Sequence, residues 1–118
     1  MKTILIADSD APVRQLIRMV LDAADYRILE AVDGAAALEI AAETPVDLLV
    51  TDPCIAGLDD LLRLQGLLSR RARKVLAVSG CLCAEDRFRA DVALKKPFDP
   101  DELIRCARAL IEPGIRPA

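Results

Sequence analysis

Asp47-Leu48-Leu49-Val50-Thr51-Asp52-Pro53-Cys54 reads as a short apolar strand that stops at a carboxylate. Proline has no amide hydrogen to give to a ladder, so Pro53 ends the strand and leaves Asp52 at the lip of a sheet. Three other segments end in a similar way. Ile4-Leu5-Ile6-Ala7 stops at Asp8-Ser9-Asp10, Val75-Leu76-Ala77-Val78 stops at Ser79-Gly80, and Val92-Ala93-Leu94 runs into Lys95-Lys96-Pro97-Phe98. In an open parallel sheet the carboxyl ends of the strands line one edge, and ligands bind there. Such a sheet gathers carboxylates, a hydroxyl and an ammonium around Asp52.

The segments between these runs have helical spacing. Asp10 can cap a helix with Pro12 in its first turn. Val13, Leu16, Ile17, Val20, Leu21 and Ala24 then form an apolar stripe, opposite Arg14, Arg18 and Asp22. Arg27 to Ala31 is a second, weaker strand, Asp33-Gly34 a turn, and Ala35 to Ala42 an alanine-rich helix ended by Thr44-Pro45. A leucine-rich helix is expected from about Asp59 to Ser69. The basic run Arg70, Arg71, Arg73 and Lys74 reads as a solvated helix end that complements the dipole. One or two helical turns are expected over Ala84 to Ala90. Asp99-Pro100-Asp101-Glu102 opens a last helix with an N-cap, a first-turn proline and a capping-box glutamate. Its apolar face is Leu103, Ile104, Ala107, Leu110 and Ile111, and Pro113-Gly114 stops it. Alternating strands and helices imply a parallel sheet covered on both faces. The expectation is a five-stranded α/β sandwich, residues 1–118 forming a single domain without repeats or linkers.

Composition narrows the function. With 3% aromatic residues, no Trp and a net charge of −3, the 118-residue chain has neither the stacking surface nor the basic footprint of a nucleic-acid binder. No apolar run approaches a membrane span, and the N-terminal stretch is too brief for a signal peptide. A cytoplasmic protein is expected. Histidine is absent, which removes the commonest general base and metal ligand. The cysteines are Cys54, Cys81, Cys83 and Cys106, and Cys81-Leu82-Cys83 lacks the two-residue gap of zinc or redox motifs. Reduced thiols are the expectation, a Cys54–Cys81 bridge the minor alternative.

Taken singly, an aspartate after a strand is usually a turn or cap, Ser-Gly a loop and Lys-Pro a surface turn. Jointly, at the carboxyl ends of different parallel strands, they form a coherent chemistry. A carboxylate can accept a phosphoryl group as an aspartyl phosphate, provided charge is neutralised by a divalent metal, a lysine and a hydroxyl.

Ile4 to Asp8, Asp47 to Asp52, Ala77-Val78-Ser79-Gly80 and Lys96-Pro97-Phe98 together resemble the receiver domain of two-component response regulators, over essentially the whole chain. The resemblance implies a flavodoxin-like parallel sheet of order 2-1-3-4-5. It makes Asp52 the phosphoacceptor, Ser79 the switch hydroxyl and Lys96 the phosphate-binding lysine, with a cis Lys96-Pro97 peptide. Asp8, Asp52 and the backbone carbonyl of Cys54 would hold Mg2+, with Ser9 contributing weakly or through water. The partners implied are a histidine kinase or phosphotransfer protein and an unknown downstream protein target, with no nucleic acid and no membrane. The chain differs from the family's usual pattern in Ser9 for a second acid, Ala56 for a loop proline, Gly80 for alanine, and Ala93 at the aromatic switch position. It is also short between Ser79 and Lys96, so the fourth helix is expected to be reduced. Weak Mg2+ binding follows from the lost carboxylate.

Two other readings compete. A degenerate receiver would work as a protein-binding module without phosphorylation, which Ser9 and Ala93 favour. Ile4 to Asp10 also resembles the Asp-x-Asp nucleophile motif of haloacid dehalogenase-type phosphatases, but that reading leaves Asp52 unexplained. The expectation is a phosphoacceptor rather than an enzyme, signalling through protein contact.

Overall fold

A computed structural model describes residues 1–80 and 88–112. Among the described residues nine elements follow one another: β1 (Thr3–Ala7), α1 (Ala11–Asp22), β2 (Arg27–Ala31), α2 (Gly34–Glu43), β3 (Leu48–Thr51), α3 (Leu58–Arg70), β4 (Lys74–Ser79), β5 (Val92–Lys95) and α4 (Pro100–Ile111). All strands pair in parallel, in the order β2-β1-β3-β4-β5.

Side chains alternate across a strand, and in the central strands β1 and β3 both faces are buried, which is why their apolar residues run consecutively rather than at every second position. Ile4, Ile6, Leu48, Val50, Leu76 and Val78 face one core, closed by Ile17 and Leu21 of α1 and Leu103 and Ala107 of α4. Leu5, Ala7, Leu49, Val75 and Ala77 face the other, closed by Ala37 of α2 and Leu61, Leu64 and Leu68 of α3. The sheet is thus fixed between two helical layers, and its carboxyl edge is fixed with it.

Asp10 and Asp99 cap α1 and α4 as anticipated, with Pro12 and Pro100 in the first turns of those helices, and Asp33, which reads as part of a turn, caps α2 by accepting from the Ala36 amide. Leu16 departs from expectation, because it lies at the edge of the α1 stripe and is 47% exposed. Met19, one turn on, is 70% exposed. The basic run after α3 is also more structured than a solvated end. Arg73 pairs with Asp47 at 3.2 Å, and Lys74 lies 3.9 Å from Asp91. Phe88, Arg89 and Ala90 are irregular. The rest of the helical segment expected over Ala84 to Ala90, and Cys81 and Cys83, lie outside the described residues.

Two backbone positions have clear costs. The Gly34 amide donates to the Ala56 carbonyl at 2.8 Å, and a Cβ on Gly34 would stand 1.9 Å from the Gly57 carbonyl oxygen. Only glycine lets the start of α2 meet the loop that follows Asp52. At the end of α3, Ala72 is left-handed (φ 56), while the Arg73 amide donates to Leu68 and that of Ala72 to Ser69. This is a Schellman closure, with alanine where glycine is favoured. Gly34→Ala is therefore expected to lower stability by about 1–3 kcal/mol. Ala72→Gly should raise it by about 0.5–1 kcal/mol. Denaturant midpoints of the two variants check both signs.

Candidate functional site

The residues at the strand ends are held by the sheet itself. The ladder continues one step past each strand: the Asp8 amide donates to Ala31 of β2, the Asp52 amide to Ala7 of β1, and the Lys96 amide to Ser79 of β4. The buried Thr51 hydroxyl adds a bond to the Ala7 carbonyl at 2.9 Å, tying β3 to β1 directly beside Asp52. Pro53 supplies no competing donor, as its position in the sequence implied.

On this frame three expected residues meet. The Lys96 ammonium donates to Asp52 Oδ2 at 2.9 Å and to Asp8 Oδ2 at 3.0 Å. The remaining oxygen of each carboxylate accepts from the backbone: Asp52 Oδ1 from the Cys54 amide and Asp8 Oδ1 from the Asp10 amide, both at 2.9 Å. Asp8 is only 3% exposed. Ser79 ends β4, the strand beside β3, and Lys95 is its register partner on β5. The Lys96-Pro97 peptide is cis, as expected.

Burial pushes the Lys96 ammonium down, but its hydrogen bonds to Asp52 and Asp8 and their negative charges push it up, and the net shift is upward from 10.5. One cation therefore sits between two anions, a pairing favoured over an unpaired carboxylate in a partly buried place.

The departures from the family's pattern also have a place. Ser9 is exposed beside Asp8, and Asp10 is occupied as the α1 cap, its Oδ1 3.5 Å from the Val13 amide, so Asp10 does not stand in for a second acid. A Cβ on Gly80 would lie 3.4 Å from the Lys96 Cβ. That is ordinary contact, so the glycine is not forced by space, and its absence of a side chain leaves one flank of the lysine stem open. Ala93 is exposed on β5, paired with Ala77. Cys54 is exposed at the mouth of the site. Burial and then Glu102 push the Cys106 thiol up, away from reactivity.

Arg14 was assigned to the outer polar face of α1, and its contact with the site was not anticipated. Its Nη1 donates to the Asp8 carbonyl at 2.6 Å and its Nε to Glu30 at 3.1 Å, while Arg18 grips the other Glu30 oxygen at 2.5 Å. The available signal was Glu30, a charged residue in the interior of β2 after Ile28 and Leu29.

The donor set suits a hard divalent ion. Two carboxylate oxygens converge on a single cationic group and a loop carbonyl follows, whereas magnesium commonly takes one or two carboxylates and completes its shell with water. Among the described residues no cluster of three or more His, Cys, Asp or Glu forms a metal cage. Asp8, Asp52 and the Cys54 carbonyl are the groups that would hold the ion.

Comparison with known proteins fits this geometry. The chain matches the response regulator receiver domain over residues 4–108. It belongs to that family. It is 32% identical over 108 residues to response regulator GtcR of Aneurinibacillus migulanus, covering 87% of this chain and 45% of that protein. It is 30% identical to the transcriptional regulatory protein KdpE of Mycobacterium tuberculosis, covering 94% and 51% respectively. The chain thus spans about half the length of the curated relatives it matches. A CheY-like receiver domain protein from Methanospirillum hungatei superposes with a TM-score of 0.84, at 21% identity, over 96% of this chain and 95% of that one. Response regulator TrrA of Thermotoga maritima, solved in complex with Mg2+-BeF, gives 0.79 at 25% identity, over 93% and 99%. The flavodoxin-like order is that of the family, and the dehalogenase reading is set aside by the match. Among the described residues, no helix is long and apolar enough to cross a membrane.

The Lys96 shift gives a pH dependence with a definite sign. A lysine whose pKa is raised on folding contributes stability that is complete below the unfolded value and lost as pH rises through the folded one. The domain should hold its ion cluster past the ordinary lysine range and lose stability above it. Lys96→Met should be destabilised at neutral pH, with the difference from wild type closing as pH passes that range. Thermal unfolding of both proteins across the alkaline range is the measurement.

Proposed function

We propose that residues 1–118 act as one phosphorylatable receiver, with Asp52 accepting a phosphoryl group from a histidine kinase or phosphotransfer protein. The observation that carries this reading is the Lys96 ammonium within 3.0 Å of both Asp52 and Asp8 at the carboxyl edge of the sheet. An Asp52 oxygen attacks the phosphorus, the bond from phosphorus to the donor's nitrogen breaks, and the donor imidazole keeps the electron pair. Lys96 neutralises the phosphoryl oxygens, and Ser79 offers a hydroxyl to them from β4. A bound magnesium ion would neutralise further phosphoryl charge. Asp8 and the Cys54 carbonyl would orient it, with Ser9 reaching it through water. The buried ladder bonds beneath Asp8 and Asp52 keep these groups from relaxing apart.

The protein donor has a surface to meet. Leu16 and Met19 lie on successive turns of α1, the helix that springs from the Asp8–Asp10 loop, and both are exposed. An exposed apolar pair on the helix that leaves the reactive edge supports docking of a partner rather than reaction with small phosphodonors alone. Output then passes through protein contact. A second reading, a receiver that binds its target without phosphorylation, is favoured by Ser9, because neither Ser9 nor the capping Asp10 supplies the missing charge.

Intact mass after incubation with acetyl phosphate and Mg2+ separates the two. Wild type should gain one phosphoryl group slowly and only with metal, and Asp52→Asn none. Ser9→Asp should tighten magnesium binding by about tenfold and speed the labelling. A wild type that is never labelled, together with a Ser9→Asp variant that is no better, would select the phosphorylation-independent module. Leu16→Glu with Met19→Glu should leave acetyl phosphate labelling intact and lower the rate from a cognate phosphodonor protein by about tenfold or more.

A further inference from the structure

On the face of the molecule remote from α1, the outer surfaces of α2 and α3 leave a shallow groove of about 440 Å³ lined by Leu38, Arg63, Gly66, Leu67 and Arg70. Its floor is apolar: Leu38 is half-buried against the α2/α3 core, and Leu67 is 47% exposed. Its rim is cationic, with no acidic residue among the lining groups. Arg63 is 75% exposed and reaches Asp60 only at 3.7 Å, and Arg70 forms no ion pair among the described residues. In a chain of net charge −3 this is a local inversion of sign. Arg73, farther along, is engaged by Asp47 at 3.2 Å, whereas Arg63 has only a long, exposed pair within its own helix and Arg70 has none among the described residues.

Gly66 is the feature the rest of the chain does not explain. It sits mid-helix in α3, where glycine is a poorer residue than alanine. Its φ is not left-handed, and a Cβ there would meet nothing within 4 Å. Gly34 is required by a close approach within the protein, whereas Gly66 faces open space. What Gly66 does is leave a notch between Arg63 and Arg70, next to Leu67.

We propose that this groove docks an acidic amphipathic segment of a partner protein, an apolar side chain entering the notch at Gly66 and flanking carboxylates pairing with Arg63 and Arg70. Charge complementarity and the apolar floor together define that occupant. Guanidinium groups beside an apolar pocket suit planar carboxylates. A nucleic acid would find no aromatic side chain to stack on, and a membrane surface would meet a concave patch with a single well-exposed leucine. Docking here lies apart from Asp52 and is separate from the phosphodonor surface on α1.

The test uses the whole chain, 15N-labelled, and three synthetic helical peptides. The first has leucines at i and i+4 flanked by glutamates, the second replaces the glutamates with lysines, and the third replaces the leucines with serines. The acidic leucine peptide should shift the amides of Leu38, Arg63, Gly66, Leu67 and Arg70, with affinity falling as salt is raised. The other two should bind at least tenfold more weakly. Gly66→Leu, which fills the notch, and Arg70→Glu, which reverses the rim, should each weaken binding at least tenfold while leaving acetyl phosphate labelling of Asp52 as in wild type. Shifts scattered over the surface, equal binding of the lysine peptide, or full affinity in both variants would overturn the proposal. So would binding to phosphatidylserine vesicles in preference to the peptide, which assigns the groove to a membrane, or self-association lost in Gly66→Leu, which assigns it to a second copy.

Discussion

One ammonium group held between two carboxylates is the interaction on which this molecule's design turns. Lys96 comes from the end of β5, Asp8 from the end of β1 and Asp52 from the end of β3, so three strands must stop at the same height for the contacts at 2.9 and 3.0 Å to exist. Parallel pairing in the order 2-1-3-4-5 does that, because it places β1 and β3 side by side and β5 one strand away across β4. The ladder bonds that continue beyond Ala7, Thr51 and Lys95 then fix the backbone of each charged residue. The polar cluster is thus an extension of the sheet's hydrogen bonding rather than an addition to it, and the two aliphatic cores are what keep the sheet from shearing.

Much of this is legible in the sequence because its causes are local. Uninterrupted apolar runs such as Ile4 to Ala7 and Leu48 to Val50 can be stable only with both sheet faces covered, so they announce a buried parallel sheet. A charged residue at the end of such a run has to lie at the edge, which located Asp8 and Asp52, while the resemblance singled out Lys96 from the Lys95-Lys96 pair. Aspartates before a helical stripe announce their caps. Arg14 was misread because a helix wheel distinguishes faces but not what stands next to a face. Its reach to the Asp8 carbonyl depends on Glu30, brought alongside only when β2 pairs with β1. Gly34 is similar. The Asp33-Gly34 pair reads as a turn, but the demand for glycine comes from the Gly57 carbonyl more than twenty residues on. Leu16 differs for the opposite reason: a stripe's edge residue is buried only if a neighbour covers it, and among the described residues Leu16 stays about half exposed.

The helical layers serve different ends. The α1/α4 layer carries the groups that hold the Asp8 loop, through the Asp10 cap and the Arg14–Glu30–Arg18 cluster. The α2/α3 layer holds the loop after Asp52, where the Gly34 amide grips Ala56 and Gly57 opens α3 at φ 80. Asp52 is thus tied to both layers, to β1 through the Ala7 carbonyl and to α2 and α3 through the Ala56–Gly57 turn.

Charge bookkeeping at the site gives Ser9 a physical meaning. Asp8, Asp52 and Lys96 together leave one formal negative charge, so a divalent cation is drawn less strongly than it would be by a site with a third carboxylate. With Asp52 as the proposed phosphoacceptor, the balance would differ once it carried a phosphoryl group. An acyl phosphate of about two negative charges replaces one carboxylate charge. With a divalent ion, Lys96 and Asp8, the phosphorylated cluster is then close to neutral, whereas a further acid at position 9 would leave it anionic. In a partly buried site a neutral cluster is the less costly one to hold. On the proposed reading, Ser9 would weaken the unphosphorylated site's hold on metal while removing a source of repulsion from a phosphorylated one, so the two effects would act on opposite sides of the same equilibrium.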